Sequence, residues 1–321
     1  MVMSTWSEHD IPAQAGRTAV VTGANSGLGL RVARVLAEHG ARVVLACRSA
    51  ERGATAVSTV TKAARDAGVD PVVELVLLDL ADLTSVRAAA KQLRSMTEDR
   101  LDLLVNNAGV MMTPRRKTVD GFELQLGTNH LGHAALTWLL MPALRGQDGA
   151  RVVTLSSPAA RAGRVRTSDL NFEHRTYTPL AGYGQAKLAN LLFAFELDRR
   201  ARRAGLGLTS VASHPGYTAT QLVANMAASR EGGPLAGLIA YFGELSGRYV
   251  AQSVEQGALP TLYAAVAPDV RGGDYYGPDG LMEMRGGPKR VNPPHAATNT
   301  DVAARLWEAT AHLTGVAPDP A

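Results

Sequence analysis

The sequence predicts an α/β fold: a doubly wound parallel sheet in three layers, within a single domain. Three observations carry this. Short apolar runs alternate with segments of helical period, the first run ends in a glycine-rich turn, and no linker or low-complexity tract interrupts the alternation over 321 residues. Continuous rather than alternating apolarity marks strands buried on both faces, as in a parallel sheet covered by helices.

The first run, Ala19-Val-Val-Thr-Gly23, reads as a strand. A helical pattern follows at Leu30, Val32, Ala33, Val35 and Leu36, closed by Gly40, and 41–46 is a second strand. Strand, helix and strand within about thirty residues make a βαβ unit. Further on, 72–78 predicts a strand, 83–96 a helix, 101–105 a strand and 122–144 a mostly helical stretch. A strand over 151–156, a long helix over 183–204, a sixth strand over 208–213 and a helix over 254–266 complete the alternation. The domain spans 1–321, with an N-terminal extension at 1–16 and a polar connection at 158–182. An excursion at 217–257 is the third addition. Long connections in α/β domains are often lids. The excursion, with Met226, Leu235, Leu238, Ile239, Tyr241 and Phe242, is therefore expected to be a lid-like cover for an apolar substrate, although the same residues would suit an ordinary packed helix.

Composition narrows the function classes. Apolar residues make up 46% of the chain, enough for a large core and too many for a disordered one. The net charge of +4 is a weak field over this length, and the arginines occur in small groups, so nucleic acid is a poor partner. One cysteine, Cys47, excludes an internal disulfide and a cysteine metal cage. The N-terminus lacks the basic start and apolar core of a secretory signal. No apolar stretch reaches the roughly 18 residues of a membrane helix. A cytoplasmic protein with no membrane span is the expectation.

Thr22-Gly-Ala-Asn-Ser-Gly-Leu-Gly29 joins the first strand to the first helix. Glycines let the backbone turn sharply and approach a ligand, and a helix N-terminus suits a pyrophosphate. The spacing is G-x-x-x-G-x-G, which by itself reads equally well as a tight loop. The second strand ends Leu45-Ala-Cys-Arg-Ser49. An acidic residue there would bond the ribose 2′-hydroxyl of NAD, whereas a cation suits the 2′-phosphate of NADP. Arg48 thus points to NADP(H) rather than NAD(H), the alternative being a solvated arginine.

Tyr183-Gly-Gln-Ala-Lys187 places a phenol and an ammonium on one helical face. A phenol ordinarily titrates near pH 10, and a neighbouring cation favours the phenolate. The fifth strand ends in Ser156-Ser157, where ligands sit in parallel sheets. Adjacent residues point to opposite faces, so one of the two serines reaches a substrate. His130, His133 and His214 invite a metal reading, but buried, hydrogen-bonded histidines are preferred.

Together these residues resemble the short-chain dehydrogenase/reductase family, a Rossmann-type fold, from about residue 16 to 315. The markers in order are Thr22–Gly29, Asp79-Leu80, Asn106-Asn-Ala-Gly109, Asn129, Ser157, Tyr183 with Lys187, and Pro215-Gly216. Asn106–Met112, Asn129–His133, His214–Gly216 and Ala304–Trp307 are similar to the retinol-dehydrogenase-like branch. The resemblance implies roles. Gly23, Gly27 and Gly29, with Asn25, Ser26 and Leu28 on the same turn, would cradle the pyrophosphate. Asp79 would accept from the adenine amino group beside Leu80. Asn107, Ala108 and Gly109 would shape the floor by the adenine ribose. Tyr183 would be the acid–base group, Lys187 would lower its pKa and bond the nicotinamide ribose, and Ser157 would hold the substrate oxygen. Asn129 would anchor a water linking Lys187 to solvent. Pro215 and Gly216 would bind the cofactor, and Thr220, five residues after Pro215, would meet the nicotinamide carboxamide. Ser157 and Tyr183 lie further apart than in typical members, and the turn has Asn25-Ser26 where many NADP-using members carry a basic residue.

The expected activity is hydride transfer between NADP(H) and a hydrophobic alcohol, ketone or aldehyde (EC 1.1.1.-), with Tyr183 as general acid/base. A catalytically silent NADP-binding regulator or scaffold on the same fold is the alternative, and it would be expected to lack Tyr183 or Lys187. A nucleic-acid partner at Arg161, Arg164, Arg166 and Arg199–Arg203 ranks last, since solvated helix ends explain them. A homo-oligomer is compatible with Leu188, Leu191, Leu192 and Phe195, which face either the sheet or a partner.

Overall fold

The computed structural model describes residues 6–217 and 252–320. Eight strands form one sheet: β1 Thr18–Thr22, β2 Arg42–Cys47, β3 Val73–Leu77, β4 Leu103–Asn106, β5 Arg151–Leu155, β6 Thr209–Ser213, β7 Tyr275–Pro278 and β8 Pro288–Arg290. Their spatial order is β3-β2-β1-β4-β5-β6-β7-β8. Neighbours are parallel except β7 and β8, which pair antiparallel. Val20 of β1 sits in register with Val44 of β2 on one side and Leu104 of β4 on the other. The order reverses between β1 and β4, so their carboxyl ends diverge into a crevice, the usual ligand position in such sheets.

The helices are α1 Gly27–Glu38, α2 Ala50–Asp66, α3 Leu83–Met96, α4 Leu124–Leu126, α5 Gly132–Arg145, α6 Pro179–Arg203, α7 Val254–Val266 and α8 Thr300–Thr314. Successive strand residues supply opposite cores. Val21 of β1 packs with Val35 of α1, Val60 of α2 and Leu262 of α7. Val20 packs with Val86 of α3, Leu136 of α5 and Phe193 of α6. This is the three-layer arrangement that the apolar runs predict.

Four elements go beyond the sequence reading. α2 carries only Gly53, Ala56, Val60 and Ala64 on its buried face, a stripe too small to stand out. β7 is Tyr-Tyr-Gly-Pro and β8 is Pro-Lys-Arg, neither with a strand's apolar pattern. α8 lies over α5 and α6, where Trp307 stacks on Phe193 at 5.4 Å and meets Trp138 edge-on at 4.8 Å. Leu188, Leu191 and Leu192 of α6 share a cluster with Ala303 and Leu306 of α8. That face is thus covered by the chain itself. α6 also begins earlier than predicted, because Pro179 at its first position is capped by Thr178, whose Oγ1 accepts from Ala181 N at 3.1 Å.

The extension is tied down by an Arg31–Glu8 ion pair and by Trp6 packed edge-on against Tyr263 at 5.1 Å. The arginines named for nucleic acid are largely paired: Arg161 with Glu283, Arg199 and Arg200 with Glu196, Arg202 with Asp198. Thr220 and most of the 217–257 excursion lie outside the described residues. Among the described residues no helix is long and apolar enough to cross a membrane.

Candidate active site

β1 ends at Thr22, and Gly23 (φ +66°) turns the chain toward α1. Gly27, the first residue of α1, also takes a left-handed φ, +55°. At Gly29 a Cβ would lie 2.4 Å from Asn107 Nδ2 and 2.6 Å from the Gly23 carbonyl oxygen, so only glycine lets α1 approach the turn. Ser26 makes no side-chain cap bond, and the first turn of α1 holds no acidic residue. The leading amides of α1 are thereby left without side-chain acceptors, the arrangement an anion completes. Leu28 is half-buried beside them.

Arg48, after β2, is exposed and has no ion-pair partner among the described residues. Sequence reasoning missed a second cation. With the Asn25 amide oxygen turned toward it, Arg52 donates through Nε at 3.1 Å and NH2 at 3.0 Å. Asn25 is thus held by a guanidinium at the same strand end. Asp79, after β3, accepts from Ala81 N through Oδ1 at 2.9 Å, and Leu80 is buried against Gly132.

One hydroxyl organises the floor of the crevice. Thr22 Oγ1 accepts from Asn107 N at 2.9 Å and Ala108 N at 3.0 Å, and lies 2.9 Å from His133 Nε2. His133 Nδ1 lies 2.9 Å from the Asn129 carbonyl, which accepts only. The ring hydrogen is therefore on Nδ1, and Nε2 accepts from Thr22. Burial draws His133 down to about 3, which keeps it neutral. Asn107 spends its side chain on the Thr22 carbonyl at 2.8 Å, so it braces the glycine turn. His130 bonds Thr310 of α8 at 3.0 Å. These two histidines are buried and hydrogen-bonded.

Asn129 lies in a π-turn, Gly127–Leu131, and its amide is engaged twice with Val110: Oδ1 accepts at 2.8 Å and Nδ2 donates at 2.9 Å. Its side chain thus holds the loop after β4 in place. Gly109 is the point of convergence, since a Cβ there would lie 2.9 Å from Asn129 Oδ1 and 3.7 Å from Lys187 Nζ.

Ser157 and Tyr183 meet although 158–182 separates them. Gly163 and Gly184 allow the return: a Cβ on Gly163 would lie 2.2 Å from the Gly184 carbonyl. The connection is anchored by Arg175, which bonds Asp169 and Gln185 and lies over the Phe172 ring at 4.1 Å. Both site residues are buried, with the Ser157 side chain close enough to the Tyr183 phenol to act on it. Ser156 points the other way, donating to the Lys187 carbonyl at 2.8 Å. Lys187 Nζ donates to the Leu155 carbonyl at 3.0 Å and lies 5.8 Å from the centre of the Tyr183 ring.

The electrostatics differ from expectation. Burial pushes the Tyr183 phenol up to about 12, with the Ser157 hydrogen bond acting in the opposite direction. Burial draws Lys187 down to about 8. Burial, and not the neighbouring lysine, dominates the phenol's shift. On the far side, the β6 end runs into Pro215-Gly216, with Gly216 at φ +67° and Tyr217 N donating to the Met284 carbonyl at 2.8 Å.

Comparison with known proteins agrees with this geometry. The profile of the short chain dehydrogenases matches residues 17–231. The chain is 38% identical to retinol dehydrogenase 12 of Mus musculus over 304 residues, covering 94% of this chain and 87% of that one. It is 39% identical to polyprenol dehydrogenase of the same species over 311 residues, covering 95% and 86%. A crystal structure of an uncharacterized protein from Mycobacterium paratuberculosis superposes with a TM-score of 0.79 at 40% identity, covering 98% of each chain. The chain belongs to the short-chain dehydrogenase/reductase family, in its retinol-dehydrogenase-like branch, and is a hydride-transferring oxidoreductase that uses a nicotinamide cofactor.

Proposed function

We propose that this oxidoreductase is NADP(H)-dependent and interconverts an apolar alcohol with its aldehyde or ketone, Tyr183 acting as the acid–base group. The observation that carries the reading is the buried Ser157–Tyr183 pair beside Lys187 at the carboxyl end of the sheet. The glycine turn at 23–29 suits a pyrophosphate, since its glycines leave no room for side chains and α1 offers uncapped amides. Asp79 keeps one carboxylate oxygen for an adenine amino group. Arg48, without an ion-pair partner among the described residues, suits a 2′-phosphate, with Arg52 adding positive charge nearby. When bound, the nicotinamide gives or takes the hydride.

Ser157 and Tyr183 orient the substrate oxygen between two hydroxyls. A phenol near 12 stays protonated at pH 7, the form that donates a proton to a carbonyl oxygen during reduction. Lys187, buried beside Tyr183, would bond the ribose hydroxyls. An apolar substrate is supported by the relatives' names, which cite retinol and polyprenol, both apolar alcohols.

The test is a screen of apolar aldehydes and ketones with NADPH and NADH in parallel, read by nicotinamide absorbance, with Tyr183→Phe as control. The expected result is NADPH consumption that falls about 10²–10⁴-fold in Tyr183→Phe. Equal use of NADH, or turnover retained by the Phe variant, would overturn the reading.

A further inference from the structure

A buried polar contact beside the site is not used by the chemistry above. His214 follows β6 and is fully buried. Gly277 of β7 makes the space for it, since a Cβ there would lie 2.0 Å from Nε2. The Gly216 amide donates to Nδ1 at 3.2 Å. An accepting Nδ1 carries no hydrogen, so the neutral ring's hydrogen is on Nε2. Nε2 lies 3.2 Å from Glu283 Oε2, close but off the line of a well-aligned hydrogen bond. Arg161 reaches the same carboxylate at 2.9 and 3.0 Å, and the Asn292 carbonyl at 3.3 Å. Arg161 belongs to the turn Pro158–Ala162, which Ser157 caps.

The backbone around Glu283 is unusual. Met282 and Glu283 both adopt left-handed conformations, φ +52° and +57°, disfavoured for residues with a Cβ. Such a conformation persists only where the surroundings over-determine it. Here it turns Glu283 inward while Leu281 and Met282 remain exposed.

We propose that His214 and Glu283 are positioning residues: Glu283 aligns the His214 ring, whose Nδ1 fixes the Pro215-Gly216 turn against the cofactor, and Arg161 couples that carboxylate to the segment carrying Ser157. This rests on the proposed cofactor site. Among the described residues, the hydrogen bond between the His214 side chain and the Pro215-Gly216 turn is the one from the Gly216 amide to Nδ1, so the two ring nitrogens have separable effects. His214→Asn keeps an acceptor near the Nδ1 position and loses the reach to Glu283. His214→Gln keeps a donor near Nε2 and loses the Gly216 acceptor. His214→Phe loses both.

NADPH affinity is measured by calorimetry on each folded variant, and steady-state constants with an active carbonyl give the split between cofactor KM and kcat. His214→Asn should bind NADPH within about twofold of the unmodified chain, and His214→Gln and His214→Phe should bind about three- to tenfold more weakly. Cofactor KM should rise more than kcat falls. Glu283→Leu should weaken binding no more than His214→Asn does, by about twofold at most, and adding it to His214→Phe should cost no further cofactor affinity, because toward the cofactor Glu283 acts through the ring. A merely structural role would lower thermal stability in all three His214 variants without the Asn-over-Gln ranking. Should His214→Phe fail to fold, the Asn and Gln variants decide. Equal binding by all variants, rescue by Gln rather than Asn, or additive effects of His214→Phe and Glu283→Leu would each overturn the proposal while leaving the cofactor site standing. Failure of the unmodified chain to bind NADPH or NADH would overturn both.

Discussion

Replacing Lys187 with methionine should stabilise the protein at neutral pH. A free lysine side chain titrates at 10.5, and burial draws Lys187 down to about 8 in the folded chain. Between those values the unfolded chain binds more protons than the folded one, so stability rises with pH across that window and is flat below it. From these two values, the gain between pH 7 and 9.5 is about 2 kcal/mol. Methionine has no proton to lose, so the stability of the unmodified chain relative to Lys187→Met should rise by that amount over the interval. At pH 7 the variant avoids burying an ammonium. It loses the Nζ bond to the Leu155 carbonyl, but that oxygen keeps Asn190 Nδ2 at 2.9 Å. The variant should therefore be more stable at pH 7 by about 1–2 kcal/mol, and at pH 9.5 no more stable than the unmodified chain, or less stable by up to about 1 kcal/mol. Urea unfolding of both chains at the two pH values, followed by tryptophan fluorescence, gives the difference directly. A difference that stays constant with pH would refute the placement of a titrating lysine in this pocket.

Three further outcomes follow from the geometry. Tyr183→Phe should keep cofactor affinity within about twofold, since it removes one hydroxyl hydrogen bond, and lose most turnover; calorimetry and nicotinamide absorbance separate the two. Arg48→Asp should weaken NADPH binding by about tenfold or more and spare NADH, because a carboxylate would face the 2′-phosphate; the two dissociation constants decide it. Gly29→Ala should destabilise the fold by about 1–3 kcal/mol in urea unfolding, as its Cβ would meet Asn107 Nδ2 and the Gly23 carbonyl.

The sequence carries the crevice in local signals. Gly23, Gly27 and Gly29 sit where a strand must turn tightly into a helix, and Tyr183 and Lys187 share a helical face, so both can be read without knowing the tertiary structure. Contacts between distant segments cannot. Thr22 and His133 meet only because β1 and the π-turn converge, and no spacing rule links them. Arg52 reaches Asn25 across a strand-to-helix connection. The raised pKa of Tyr183 is a matter of burial, and a local reading saw only the lysine one turn away. β7 and β8 escaped because Tyr-Tyr-Gly-Pro, and the edge strand Pro-Lys-Arg beside it, lack an alternating apolar pattern.

The docking of α8 bears on how the protein is made. His130 bonds Thr310, 180 positions further along the chain, and Trp138 meets Trp307 in the same layer. On the ribosome, the glycine turn, Ser157 and Tyr183 are all synthesised before the helix that seals α5 and α6. Until then α6 presents Leu188, Leu191 and Leu192 without their α8 neighbours. The nascent chain therefore leaves apolar surface of α5 and α6 uncovered until α8 emerges, a state in which chaperone capture or aggregation competes with completion. Chains truncated before Thr300 should be recovered mainly as insoluble protein, even though every residue of the Ser157–Tyr183–Lys187 cluster is present.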